Sequence, residues 1–130
     1  MSGSGSVWLA YNEAENARDF ARMGSLVSAE LRASMNGRAA VGSAKEDEIA
    51  MRALFETYPD YRREVLEVLE SGDRAVARWR MLGEPAREGD SPLDVSGCSI
   101  VTVRDGVIVE AALYCDGERL ERLVSTAVTE

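Results

Sequence analysis

A chain of 130 residues, 45% hydrophobic and 29% charged with three prolines, suits one domain around a single core and leaves no room for a second. Its net charge of -8 at pH 7 opposes the attraction that nucleic acid or an anionic membrane surface requires. Histidine is absent and cysteine is limited to Cys98 and Cys115, so the commonest metal ligand and general base is missing, and neither a metal nor another cofactor is expected.

No apolar run approaches the roughly 20 residues of a membrane span, and "MSGSGSVWLAYNEAEN" lacks the basic start and long apolar middle of a signal peptide. A cytoplasmic location follows by default. Residues 1–6, "MSGSGS", read as a flexible leader, and residues 7–130 as the single domain. From Val7 to Met23 the apolar residues Val7, Ala10, Tyr11, Ala14, Ala17 and Ala21 recur at helical spacing, and Gly24 ends that helix. "SLVSAELRASMNGRAAVGS" predicts a short helical turn, a strand, a reversal at Asn36-Gly37 and a second short strand. Ser43 with Glu46 three places on forms a capping box. The helix it opens runs from Ala44 to about Thr57, with Ile49, Ala50, Ala53, Leu54 and Phe55 as its apolar stripe. It stops at "YPD", where proline disfavours the helical region for the residue before it.

The period then changes. "YRREVLEVLESGDRAVARWRMLG" predicts two strands about Ser71-Gly72-Asp73, and "CSIVTVRDGVIVEAALYC" two more about Asp105-Gly106. "EPAREGDSPLD" is the loop between the pairs. Leu120, Leu123, Val124 and Ala127 mark a closing amphipathic helix, with Asp116 placed to cap it. The expected class is α+β, with helices on one face of a curved antiparallel sheet.

Closure at Asp105-Gly106 pairs Arg104 with Val107, which places Cys98 opposite Leu113 and Val101 opposite Glu110. Val109, Ala111, Leu113 and Cys115 then share an apolar face, and Glu110, Ala112 and Tyr114 share the other. Cys98 and Cys115 fall diagonally on one face, poorly placed for a bridge, and are expected as free, buried thiols.

"FETYPDYRREVLEVLESGDRAVARWRMLGE", "IVTVRDGVIVEAALYCDGERLERLV" and "YNEAENARDFARM" together resemble the SnoaL-like family of polyketide cyclases and their relatives. The resemblance rests on the ordered set Pro59-Asp60, Gly72-Asp73-Arg74, Arg78-Trp79, Asp105-Gly106 and Asp116. It implies the nuclear transport factor two-like cone, a sheet wrapped around an apolar cavity that takes a small molecule, and a homodimer. Fold alone does not carry the chemistry. The family's catalytic aspartate on the last strand corresponds to Leu113 here. Epoxide hydrolase relatives carry an arginine and, two residues on, an aspartate; this chain has Arg78 and Arg80. Asn36 matches their water-binding asparagine, with Ser34 at their tyrosine's place. In the more distant ketosteroid isomerases a helix-one tyrosine polarises the carbonyl; Tyr11 has that spacing from Asn16 and Asp19, while the isomerase base aligns near Met35.

These readings select Tyr11, Asn36, Glu64 and Arg78 as catalytic candidates, and Met35, Phe55, Trp79, Cys98, Ile100, Ala111 and Leu113 as pocket lining. Each has a second reading. Tyr11 is a core-stripe residue as well as a proton donor. Glu64 alternates with Leu66 and Val68, so it is either a cavity carboxylate or a solvated rim residue. Composition turns Ala75, Ala77, Trp79 and Met81 inward, whereas the resemblance turns Arg78 inward, where it would hold an oxyanion. An arginine neutralised by Glu64 or Glu67 is the alternative. The functional expectation is a cofactor-independent cyclase or isomerase acting on an apolar oxygenated small molecule such as a polyketide. A non-catalytic ligand-binding or accessory protein is the alternative, and epoxide hydrolysis stands behind both.

Overall fold

The computed structural model describes residues 3–129. In chain order the elements are α1 (Ser4–Asn16), α2 (Phe20–Ser25), β1 (Val27–Met35), β2 (Arg38–Val41), α3 (Ala44–Thr57), β3 (Arg62–Ser71), β4 (Arg74–Gly83), β5 (Leu93–Arg104), β6 (Val107–Cys115) and α4 (Glu118–Thr129). The six strands form one sheet in the order β2-β1-β6-β5-β4-β3. Every pairing is antiparallel except β1 with β6, which run parallel. The expected α+β class is present, with that one parallel pair joining the early hairpin to the late meander.

The chain start differs from expectation. Helix α1 begins at Ser4, not Val7, so Ser4–Ser6 are helix rather than leader. Ser4 Oγ donates to the carbonyls of Gly72 (3.1 Å) and Arg74 (2.9 Å), and the Gly5 amide donates to Glu70 Oε1 at 2.6 Å. These bonds dock the helix on the β3–β4 turn. Met1 and Ser2 of the expected leader lie outside the described residues. The single helix expected over Val7–Met23 is broken at Arg18, whose φ is 60°, a conformation that stops a right-handed helix. Asp19 restarts it, its side chain accepting from the Arg22 amide at 3.1 Å, and Gly24 sits inside α2.

Helix α3 starts where the capping box places it: Ser43 Oγ accepts from the Glu46 amide at 3.1 Å. Glu46 reaches back one residue further than expected, accepting from the Gly42 amide at 2.7 Å. At the other end of the chain, Gly117 accepts the first helical bond, from the Glu121 amide, so Gly117 caps α4 and the exposed Asp116 stands one residue outside.

Strand alternation sets the core. Ala75, Ala77, Trp79 and Met81 of β4 are all buried on the inner face, and Arg78 therefore points outward. On β5 and β6 the turn pairs Arg104 with Val107 as expected, but a bulge at Val109 of β6, opposite the Thr102–Val103 step, moves the rest by one residue. Cys98 lies opposite Tyr114, Ser99 opposite Leu113, and Val101 opposite Ala111. An inserted residue exchanges the two faces of everything beyond it. The inserted residue is Val109 on β6, so Ala111 and Leu113 share the inner face with Ile108, while β5 alternates unbroken with Ser99 inside and Cys98 outside. Cys115 pairs with Gly97 on the inner face, so the two half-buried, free thiols lie on opposite faces rather than diagonally on one.

Candidate active site

Between the inner face of the sheet and helices α1, α3 and α4 lies an apolar cavity. Val27, Leu31, Met35, Val101, Ala111 and Leu113 form its sheet side, and Met51, Leu54, Leu120 and Val124 its helical side. The space open to the centre of a water-sized molecule is ≈ 80 Å³. A ligand's atoms extend beyond such centres, so the cavity suits a compound about one ring in size.

Five polar side chains reach this apolar space: Tyr11 and Glu15 from α1, Asp47 from α3, Arg63 from β3 and Ser99 from β5. Two groupings result. In the first, Tyr11 Oη donates to Asp47 Oδ2 at 2.6 Å. Burial raises the Asp47 carboxyl, the Tyr11 hydroxyl and Arg63 hold it back, and Glu15 pushes it further, to about 6 from an ordinary 3.8. Burial and then the charges of Asp47 and Glu15 push the Tyr11 hydroxyl well above its ordinary value, so it remains a donor.

The second grouping is a buried ion pair with satisfied partners. Arg63 Nη2 donates to Glu15 Oε1 at 3.2 Å, Arg63 Nε to Asn12 Oδ1 at 2.6 Å, and Tyr61 Oη to Glu15 Oε2 at 2.6 Å. The guanidinium carbon lies 4.9 Å from the Trp8 ring centroid and 5.8 Å from that of Trp79, within the range of cation–π attraction. Trp79 Nε1 in turn donates to Ser99 Oγ at 2.9 Å.

Of the residues selected from the sequence, Tyr11, Met35, Ala111 and Leu113 line the cavity. The others do not. Arg78 is on the outer face, its side chain 59% exposed and paired with Glu67 at 3.3 Å. Glu64 is also outside, 3.8 Å from Arg62. Asn36 holds the β1–β2 turn at φ 52°; its Nδ2 donates to the Cys115 carbonyl and its Oδ1 accepts from the Cys115 amide. Trp79 lies behind Ser99 rather than on the cavity wall. Phe55 turns toward α2, with its ring centroid 5.6 Å from that of Phe20 and 4.1 Å from the Arg18 guanidinium carbon. Cys98 and Ile100 alternate outward along β5, opposite Tyr114 and Ala112.

Asp47, Glu15, Arg63 and Ser99 escaped sequence reasoning, although a signal existed for two of them. Asp47 falls three places before Ala50 and seven before Leu54, the buried residues of α3, and so on their stripe. Glu15 follows Trp8 and Tyr11 on α1 in the same way. A carboxylate on an apolar stripe needs a buried partner, and that was the signal both residues carried.

The helices on one face of a curved mixed sheet, closed over an apolar cavity with a few convergent polar groups, define an α+β cone. The model of the SnoaL-like domain matches residues 8–111, and the chain belongs to that family. Solved structures share the fold. A protein described as a candidate SnoaL-like polyketide cyclase from Jannaschia sp. CCS1 is similar with a TM-score of 0.77 at 18% identity, over 94% of this chain and 91% of that one. A candidate polyketide cyclase from Bacillus cereus ATCC 10987 gives 0.76 at 16%, over 93% and 79%. An NTF2-like protein of unknown function from Cytophaga hutchinsonii ATCC 33406 gives 0.72 at 12%, over 92% and 96%. No curated protein matches the chain by sequence. Among the described residues no helix is long and apolar enough to cross a membrane.

Proposed function

We propose that the protein is a cofactor-independent cyclase or isomerase of polyketide or other natural-product metabolism, acting on an apolar oxygenated compound about one ring in size. The observation that carries this reading is the Tyr11–Asp47 pair on the wall of the apolar cavity, with the Asp47 carboxyl pushed up to about 6. A general base works best when its pKa lies near the operating pH, and burial supplies that here. Asp47 Oδ1 takes a proton from a carbon beside a carbonyl. Return of the proton to another carbon isomerises the substrate, and attack of the activated carbon on a second carbonyl closes a ring. Tyr11, whose hydroxyl hydrogen is committed to Asp47 Oδ2, positions the base. The carboxylate that the resemblance places at Leu113 is supplied instead from α3, on another wall of the same cavity. Exposed Leu66, Leu69 and Tyr114 on the sheet's outer face support pairing of two copies there.

Leu113 also favours a second reading, a ligand-binding protein without chemistry. Deuterium wash-in from heavy water into a panel of single-ring ketones, followed by NMR, separates the two. The wild type is expected to accelerate exchange with a rate that rises with pH through about 6. Asp47→Asn should lower it by roughly 10²- to 10⁴-fold, and Tyr11→Phe by less. Full exchange in Asp47→Asn would remove Asp47 from the chemistry; no exchange by the wild type, with binding intact, would establish the second reading.

A further inference from the structure

We infer that Arg63 and Ser99 form an oxyanion-binding pole of the cavity, and that the ligand is held there as a delocalised oxygen anion, an enolate or phenolate of about one ring. This deepens the Asp47 reading and rests on it for the direction of proton transfer. Arg63 is only 5% exposed, and its Nε and Nη2 are occupied by Asn12 and Glu15. Its Nη1 has no hydrogen-bond partner among the described residues, yet none of their fully enclosed polar side-chain atoms lacks one. Nη1 therefore opens on free space, and the space that Arg63 lines is the cavity. Ser99, 2% exposed on the same wall, accepts from Trp79 Nε1 through its oxygen, which leaves the hydroxyl hydrogen to donate.

Two donors, one of them charged, thus face an otherwise apolar chamber whose remaining polar edge is a base. The groups that titrate or carry charge along it are Tyr11 and Glu15 from α1, Asp47 from α3 and Arg63 from β3; Tyr61 closes on Glu15 from behind. The walls from β1, β4, β6 and α4 bring none. Glu15 and Arg63 cancel, so the chamber carries one negative charge when Asp47 is ionised. Proton transfer keeps that total. The ligand C–H bond breaks, an O–H bond forms on Asp47 Oδ1, and the electron pair moves onto the carbonyl oxygen, which accepts from Arg63 Nη1 and Ser99 Oγ. Donors aimed at the atom where charge develops stabilise the transition state more than the ground state.

The test uses the full chain as Asp47→Asn, which isolates the pole from the base and retains an acceptor for Tyr11. The probe is 4-nitrophenol, whose anion is read by absorbance and whose binding is read by quenching of Trp8 and Trp79, the chain's two tryptophans. The bound probe is expected to be the phenolate, with its apparent pKa lowered by about a unit. Adding Ser99→Ala should weaken phenolate binding about tenfold and leave the neutral phenol nearly unaffected, whereas a merely structural loss would weaken both forms alike. Arg63→Lys should abolish the pKa shift; should that variant not fold, the Ser99→Ala pair decides alone. Binding of the neutral phenol in preference, equal loss of both forms, or no binding at millimolar probe would each overturn the proposal. Phenolate binding without ketone exchange in the wild type would keep the pole and remove the base, while exchange without phenolate binding would do the reverse.

Discussion

Asp47 is the residue whose burial works against stability at neutral pH. Its folded-state carboxyl titrates at about 6 against an ordinary 3.8, so folding favours the protonated form. The associated stability is fully present below about pH 4 and is lost as pH rises through 6. A shift of that size corresponds to about 3 kcal/mol when fully buried; Asp47 retains partial exposure, which reduces the figure to about 1–2 kcal/mol. Asp47→Asn, whose amide oxygen still accepts from Tyr11, is therefore expected to be more stable than the wild type at pH 8 and equal to it near pH 3.5. Thermal melts at the two pH values check this, and a less stable variant at pH 8 would contradict it. Asp47 was legible in part, since it lies on the buried stripe of α3. Its partner was not, because no local pattern tells which of the stripe residues of α1 meets it.

At the scale of elements, the parallel contact between β1 and β6 depends on a clip at one turn. Asn36 satisfies both backbone groups of Cys115 at 2.9 and 3.0 Å while holding φ at 52°. Asn36→Ala loses the two bonds and leaves in the left-handed region a residue without the short polar side chain that eases that conformation, at a combined cost of about 2 kcal/mol. Asn36→Gly loses only the bonds and should cost less, about 1 kcal/mol. Urea titrations of both variants give the order, and equal losses would show that the backbone conformation contributes nothing. The Asn36-Gly37 turn itself was plain in the sequence, as were the strand pairs and both caps' neighbourhoods. The clip was not, since it joins residues 79 positions apart. The bulge at Val109 was equally hidden: β-branched residues run through it without a break, and it sets Leu113 opposite Ser99 rather than Cys98.

The whole molecule is a box with an apolar lining and a largely buried carboxyl, that of Asp47, pushed up to about 6. The resemblance conveyed the box, to which the hydrophobic alternation and turn residues of this chain also point. It misplaced the contents. Arg78 followed the family's pattern on paper, but the burial of Ala75, Ala77, Trp79 and Met81 turns it outward, and its charge is matched by Glu67. The charged groups that do face inward are Glu15, Asp47 and Arg63, drawn from three elements that meet only in the folded state. The pairing of Glu15 with Arg63 and of Asp47 with Tyr11 lets the lining stay apolar around these groups.

The titration of Asp47 tests that account most directly, followed through its side-chain carboxyl carbon by NMR in the intact protein. A midpoint near 6, moving higher when a phenolate occupies the cavity, is the result expected of a proton-transfer carboxylate facing an oxyanion pole. A midpoint near the ordinary value of about 3.9, unmoved by the anion, would show that Asp47 is solvated and that the cavity holds no base.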